Sequence, residues 1–138
     1  MQIVKTMQVD VVSPEKLLFS SEAVSVEIPG SDGDMTAMAN HAPLITTLRP
    51  GILRVVQEKG ASEYVVTGGF AELGETVSIL AEKAVLKADF DRETFDELVT
   101  AAQTALDSAR ANMAGDAVDM AAKSLSDFNI LGENLGFR

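Results

Sequence analysis

Across the first 87 residues the apolar positions recur with period two, in short runs separated by turn-forming residues. Met7-Gln8-Val9-Asp10-Val11-Val12 alternates, Ser13-Pro14-Glu15-Lys16 supplies a turn, and Leu17-Leu18-Phe19 resumes as a short strand. Residues 22–28 alternate more cleanly, with Val24, Val26 and Ile28 on one face and Ser25 and Glu27 on the other, which predicts a strand with one buried face. Residues 44–48 are rich in β-formers, and Arg49-Pro50-Gly51 has the residue order of a type II turn. Residues 52–57 lead to a tip at Glu58-Lys59-Gly60 and return through 62–67. Gly68-Gly69 interrupts the run, 70–73 resumes it, Gly74-Glu75 turns, and 76–81 follows, with 82–87 continuing extended. Many short strands joined by Gly and Pro turns predict an antiparallel β-sandwich or barrel.

At Asp89 the period changes to three and four. Asp89-Phe90-Asp91 offers an N-cap, and Glu93, Asp96 and Glu97 place negative charge where a helix dipole favours it. Phe95, Leu98, Val99, Ala102, Leu106, Ala109 and Met113 form one apolar stripe on a helix running to about Met113. Gly115 with Asp116 ends that helix and caps a second one, whose stripe is Val118, Ala121, Ala122, Leu125 and Phe128, until Gly132 stops it. Both stripes are rich in alanine, so two antiparallel helices can approach closely as a hairpin. The predicted class is α+β, with a β-sandwich domain over 1–87 and a helical hairpin domain over 88–138.

Between two of the strand-like runs lies the densest stretch of backbone-setting residues, Pro29-Gly30-Ser31-Asp32-Gly33-Asp34-Met35-Thr36-Ala37-Met38-Ala39-Asn40-His41-Ala42-Pro43-Leu44. Its glycines allow positive φ, its prolines fix φ, and its Asp and Asn side chains bond neighbouring amides, so it reads as a rigid surface loop of the kind that makes contacts.

Charge and composition narrow the partners. The 138 residues carry a net charge of −10, with no basic stripe to displace counterions from nucleic acid, so nucleic acid is excluded as a partner. There are no cysteines, hence no disulfide and no thiolate metal site. Residues 1–6 precede an alternating run, not a continuous apolar one, so no signal core or transit segment is expected, and no direct membrane insertion. His41 has no second histidine with which to hold a metal. Asp32-Gly33-Asp34 lacks the spacing of a calcium loop, and Gly68-Gly69 lacks the lysine and helix start of a P-loop, so a bulge or close backbone approach explains that pair better. No nucleophile, base and orienting group assemble, so the chain is read as having no catalytic residues, no metal site and no cofactor.

The ordered set Asp10-Val11-Val12-Ser13-Pro14-Glu15, Gly30-Ser31-Asp32-Gly33-Asp34, Asn40-His41-Ala42-Pro43-Leu44, Arg49-Pro50-Gly51, Gly68-Gly69 and Thr76-Val77-Ser78-Ile79-Leu80-Ala81, followed by a two-helix tail, resembles the epsilon subunit of bacterial F-type ATP synthases from end to end. The resemblance implies a non-catalytic rotor part at the foot of the central stalk, on the cytoplasmic face of the bacterial inner membrane. There it is held between the gamma subunit and the c ring and couples their rotation to ATP synthesis and proton transport. Carried onto this sequence, Asp34, His41, Ala42 and Pro43 are expected to face the c ring, and Ser13, Gly68 and Gly69 the gamma subunit.

Two departures from the family pattern carry consequences. Family members often have Gly, then Pro-Gly or Pro-x, where this chain has Thr36 and Ala39-Asn40. Nucleotide-binding members carry Ile/Leu-Asp-x-x-Arg-Ala at the first helix; Asp91 matches, but Thr94 stands at the arginine position, and Arg92 lies about 200° round the helix from it. Asp91 is thus a vestige of that motif, and weak or no ATP binding is expected. In some members a basic C-terminal helix enters the alpha/beta catalytic head and blocks hydrolysis. Here Arg110, Lys123 and Arg138 are outnumbered by Asp107, Asp116, Asp119, Asp127 and Glu133, so repulsion predicts at most weak inhibition through this further contact. The alternative reading is a free-standing regulatory binding module whose hairpin responds to a ligand or partner.

Overall fold

The computed structural model describes residues 4–138; residues 1–3, on which part of the leader reading rests, lie outside it. The chain divides into two compact units, Met1–Lys87 and Ala88–Arg138.

Among the described residues the first unit has ten strands: β1 Met7–Val12, β2 Leu17–Ala23, β3 Ser25–Gly30, β4 Gly33–Met38, β5 Leu44–Leu48, β6 Gly51–Gln57, β7 Gly60–Val66, β8 Gly69–Leu73, β9 Thr76–Ala81 and β10 Ala84–Leu86. Hydrogen bonds connect them in the order β10-β7-β6-β3-β5-β8-β9-β1-β2, with β4 on β3. β3 and β5 meet at one pair, Gly30 with Leu48. The path doubles over there, so strands of its two halves face each other. Val9 and Val11 on β1, Val77 and Ile79 on β9, Val26 and Ile28 on β3, and Leu53 and Val55 on β6 all belong to one buried cluster. The period-two alternation is what sends these residues inward and their neighbours to solvent. The far edge closes too, where Val24 N–H donates to Val56 O at 2.7 Å and Gln57 Nε2 to Glu22 O at 3.0 Å.

Four local readings are corrected. Residues 22–28 are not one strand: a bend at Val24 separates β2 from β3, because the chain there passes from pairing β1 to pairing β6. The dense stretch 29–44 is mostly a hairpin, with Ser31-Asp32 as its turn and β4 returning along β3 from Gly33↔Gly30 to Met38↔Ser25. The pairing is antiparallel except for β1 beside β9, which run parallel. Gly51 has no positive φ, so the type II turn is absent; glycine serves there because a Cβ would lie 2.6 Å from Pro29 Cβ.

The second unit begins with a 3₁₀ turn at Lys87–Asp89, followed by α1, Arg92–Ala111, and α2, Gly115–Leu135. Asp91 caps α1, its carboxylate accepting the Thr94 N–H at 2.8 Å. Bonding from Thr94, through its side chain and then its amide, holds the Asp91 carboxyl below the usual carboxylate range. The buried stripe is Phe95, Ala102, Leu106 and Ala109 on α1 and Phe128, Leu131 and Gly132 on α2. Met113 lies in the link with φ 53° and is exposed, and Ala122 is exposed as well, so neither belongs to the apolar seam.

Gly132 does not stop α2. The helix runs three residues further, to Leu135, and Gly136 in the left-handed region, φ 79°, terminates it. Gly132 instead lets Phe95 approach, since a Cβ there would strike the Phe95 ring. Beyond it the chain folds back: Phe137 N–H donates to Gly132 O at 2.8 Å, its ring centroid lies 5.4 Å from that of Phe95 and 6.4 Å from that of Phe90, and the Arg138 guanidinium stands 5.3 Å above Phe95. Phe90 and Phe95 hold the two positions of a hydrophobic staple around the Asp91 cap, and Phe137 bridges them.

Two outcomes follow from this geometry. Gly132→Ala gains up to about 1 kcal/mol of helix propensity but forces the buried Phe95 ring to move, an overpacking cost of about 1–3 kcal/mol. The net result is loss, read as faster amide exchange across α1 and α2. Because the folded Asp91 pKa is depressed, its contribution is complete above the unfolded carboxylate pKa of about 3.9 and disappears as pH falls through the lower folded value. Helical circular dichroism therefore weakens on acidification, and Asp91→Asn, which keeps an acceptor oxygen, reduces that dependence.

Candidate functional site

The structure places the expected contact residues on two surfaces of the first unit. Ser13 lies in the β1–β2 turn, its N–H donating to Lys16 O at 2.9 Å. Gly68 and Gly69 have φ of 154° and 117°, and a Cβ on Gly69 would collide with Leu80 O, so this pair is the close backbone approach that admits β8 beside β9. Ser13 directly follows Val12 and Gly69 directly precedes Phe70, so both are chain neighbours of one cross-strand row, Gly69 itself pairing with the buried Leu48 and Ala81 on the core side. Thr47 pairs with Phe70, Phe70 with Leu80, Leu80 with Val12 and Val12 with Leu17, and directly paired residues share a face. Phe70 is 53% exposed, Leu80 45% and Leu17 60%. Sequence reading missed this row, because alternation marks which face is buried but not which apolar side chains line up on the open one. The adjacent row runs from Ile45, 68% exposed, through Glu72, Ser78 and Asp10 to Ser20, and the Asp10 carboxylate accepts Ser20 Oγ–H at 2.6 Å and Gln8 Nε2–H at 3.0 Å, bonds that hold the Asp10 carboxyl below its ordinary range.

The second surface is β4. Among the described residues it pairs with β3 alone, which leaves its other edge open, and Asp34, Thr36 and Met38 point outward while Ala37 is buried on the core side. Asp34 and the His41-Ala42-Pro43 corner are not brought together: they lie at opposite ends of β4, on the order of 13 Å apart from Asp34 to Met38 at about 3.3 Å per residue. Both ends are tied. At the first, Arg49 bonds the Asp34 carboxylate and the Gly30 carbonyl. At the second, His41 Nδ1–H donates to Met38 O at 2.6 Å, which fixes the tautomer because a carbonyl only accepts. His41 Nε2 is shielded from solvent and without a partner among the described residues. It borders a cleft of about 330 Å³ whose walls include Thr6, Gly74 and Glu75. Ala42 and Pro43 are exposed beyond it.

Asn40 sets the entry to that corner with φ 68°, a conformation open to Gly and, among other residues, chiefly to Asn and Asp. The chain therefore turns here on an asparagine. Asn40→Gly is expected to leave urea stability nearly unchanged, whereas Asn40→Val costs about 1–2 kcal/mol.

Among the described residues no three His, Cys, Asp or Glu side chains group as metal ligands, and no helix is long and apolar enough to cross a membrane. Asp91 belongs to neither surface and serves as the α1 cap.

Comparison with known proteins fits this fold to a family. The family description "ATP synthase, Delta/Epsilon chain, beta-sandwich domain" matches residues 6–87. The ATP synthase epsilon chain of Fuscovulum blasticum is 50% identical over 133 residues, covering 96% of this chain and 98% of the relative. That of Ruegeria sp. (strain TM1040) is 48% identical over 132 residues, covering 94% and 96%. Among solved structures, a chain in the Euglena gracilis mitochondrial ATP synthase (OSCP/F1/c-ring, rotational state 1) shares the fold with TM-score 0.72 at 24% identity, over 98% of this chain and 84% of that one. A chain in the central stalk/c-ring structure of Tetrahymena thermophila mitochondrial ATP synthase gives 0.53 at 16%, over 66% and 70%. With its strand order, its two-helix second unit and this identity along nearly its whole length, the chain belongs to the ATP synthase epsilon-chain family.

Proposed function

We propose that this epsilon subunit is a non-catalytic rotor element that couples gamma-subunit and c-ring rotation to ATP synthesis and proton transport. The observation that carries the reading is the exposed apolar row Phe70–Leu80–Leu17, with Ile45 exposed in the next row of the same sheet face. Solvated apolar side chains aligned across strands suit a permanent partner more than open water, and the gamma subunit is that partner. The c ring is assigned to the outward side of β4, from Asp34 through Thr36 and Met38 to Ala42 and Pro43. Asp34 and the His41 corner reach one partner together only if β4 lies along it, and its open edge supports that placement. A wedge between two turning bodies must be stiff, and the ties at both ends of β4 supply stiffness.

In this reading the subunit is peripheral, on the cytoplasmic face of a bacterial inner membrane, and contact with the alpha/beta head is confined to the second unit. That unit inhibits hydrolysis weakly, because its helices are acidic and its Phe137-Arg138 end is engaged on Phe95.

Membrane vesicles carrying the matching complex, depleted of this subunit, test the assignment. Adding back the full chain restores protons pumped per ATP hydrolysed, and Phe70→Asp or Leu80→Asp weakens rebinding about tenfold or more. The full chain and one ending at Lys87 leave similar hydrolysis rates. Rebinding indifferent to both aspartates overturns the gamma assignment, and strong inhibition by the full chain alone overturns the weak brake.

A further inference from the structure

The β3–β4 turn is a short connection flanked by glycine. It has two residues, Ser31-Asp32, between Gly30 and Gly33, the latter with φ 137°, and glycine on both sides gives the backbone wide freedom. The Asp34 side chain just beyond it is 81% exposed, so packing does not orient it. What reaches this tip is Arg49, from the corner between β5 and β6, with its own side chain only 23% exposed. Its backbone N–H donates to Pro29 O at 2.9 Å, Nη1 donates to Gly30 O at 2.6 Å, and Nη2 pairs with the Asp34 carboxylate. A planar fork can serve a carbonyl and a carboxylate at once, which a lysine ammonium on a flexible stem does less well. Beside it, Ser31 N–H donates to Thr47 O at 2.9 Å and Thr47 Oγ1–H to Ser31 Oγ at 2.7 Å. Exposed ion pairs contribute little to global stability, so a pair kept at a glycine-flanked tip acts on geometry instead.

We propose that Arg49 is the positioning residue of the c-ring contact: it holds the β3–β4 turn and aims the Asp34 carboxylate at the ring. This rests on the assignment of Asp34 to the ring surface. Arg49 need not touch the ring itself; it acts through Asp34.

The test is a double-mutant cycle on the full chain, measuring its affinity for a gamma–c-ring subcomplex alongside its melting temperature. Arg49→Ala and Asp34→Ala each weaken binding about fivefold or more at nearly unchanged melting temperature, and the double variant is no worse than the weaker single one, as expected for residues acting as a unit. Should Arg49→Ala fold poorly, Arg49→Lys takes its place, with a smaller loss that likewise vanishes in the Asp34→Ala background. Equal losses from Arg49→Ala in both backgrounds, or no loss at all, overturn the positioning role while leaving the ring assignment standing. An Asp34→Ala chain that binds normally overturns the assignment of Asp34 to the ring, and the positioning role with it.

Discussion

A single backbone pair, Gly30 with Leu48, carries the ten-strand path from one half of the sandwich to the other. Everything buried between the halves depends on the chain passing this point closely, and the local sequence removes what would obstruct it. A Cβ on Gly30 would lie 2.7 Å from Gly33 O, and one on Gly51 would lie 2.6 Å from Pro29. Gly30 is thus required by its own hairpin, and Gly51 by the close passage of β6 past Pro29 on β3. Because the same crossing carries Arg49, the corner that closes the core also organises the tip presented to a partner.

The second unit solves a different problem with a similar device. Two helices of about twenty residues bury little on their own, and short isolated helices are marginal in water. Here the buried aromatic ring of Phe95 is fitted into the space left by Gly132 and covered by Phe137 and Arg138. The last two residues of the chain thereby close the hairpin at the end where α1 begins. The other end has no comparable device: Ala114 precedes α2 without a side-chain cap, and Met113 beside it is exposed. Opening of the hairpin is therefore expected to start at its link.

Alternation of apolar and polar residues is a local property, and it located most of the strands and both helices from the chain alone, since a strand or helix must hide one face whatever its neighbours are. The change of period at Asp89, the Asp91 cap, and the glycines at 68–69 as a close approach were legible for the same reason. Pairing was not. Glycine and aspartate around residue 33 look like loop chemistry, and only the facing β3 shows that 33–38 is a strand. Gly132 looks like a helix stop because its partner, Phe95, is 37 positions away.

The candidate surfaces divide along the same line. By itself the sequence determined the two-part architecture, the absence of thiol chemistry, the acidic balance and the family, because composition, period and ordered motifs are read along the chain. Tertiary structure alone decided that Phe70, Leu80 and Leu17 form one exposed row, that Asp34 and His41 stand at opposite ends of a strand, and that Arg49 reaches Asp34. Those facts depend on strand register and on contacts between distant positions, which the free energy of the whole packed sheet selects and no local window contains.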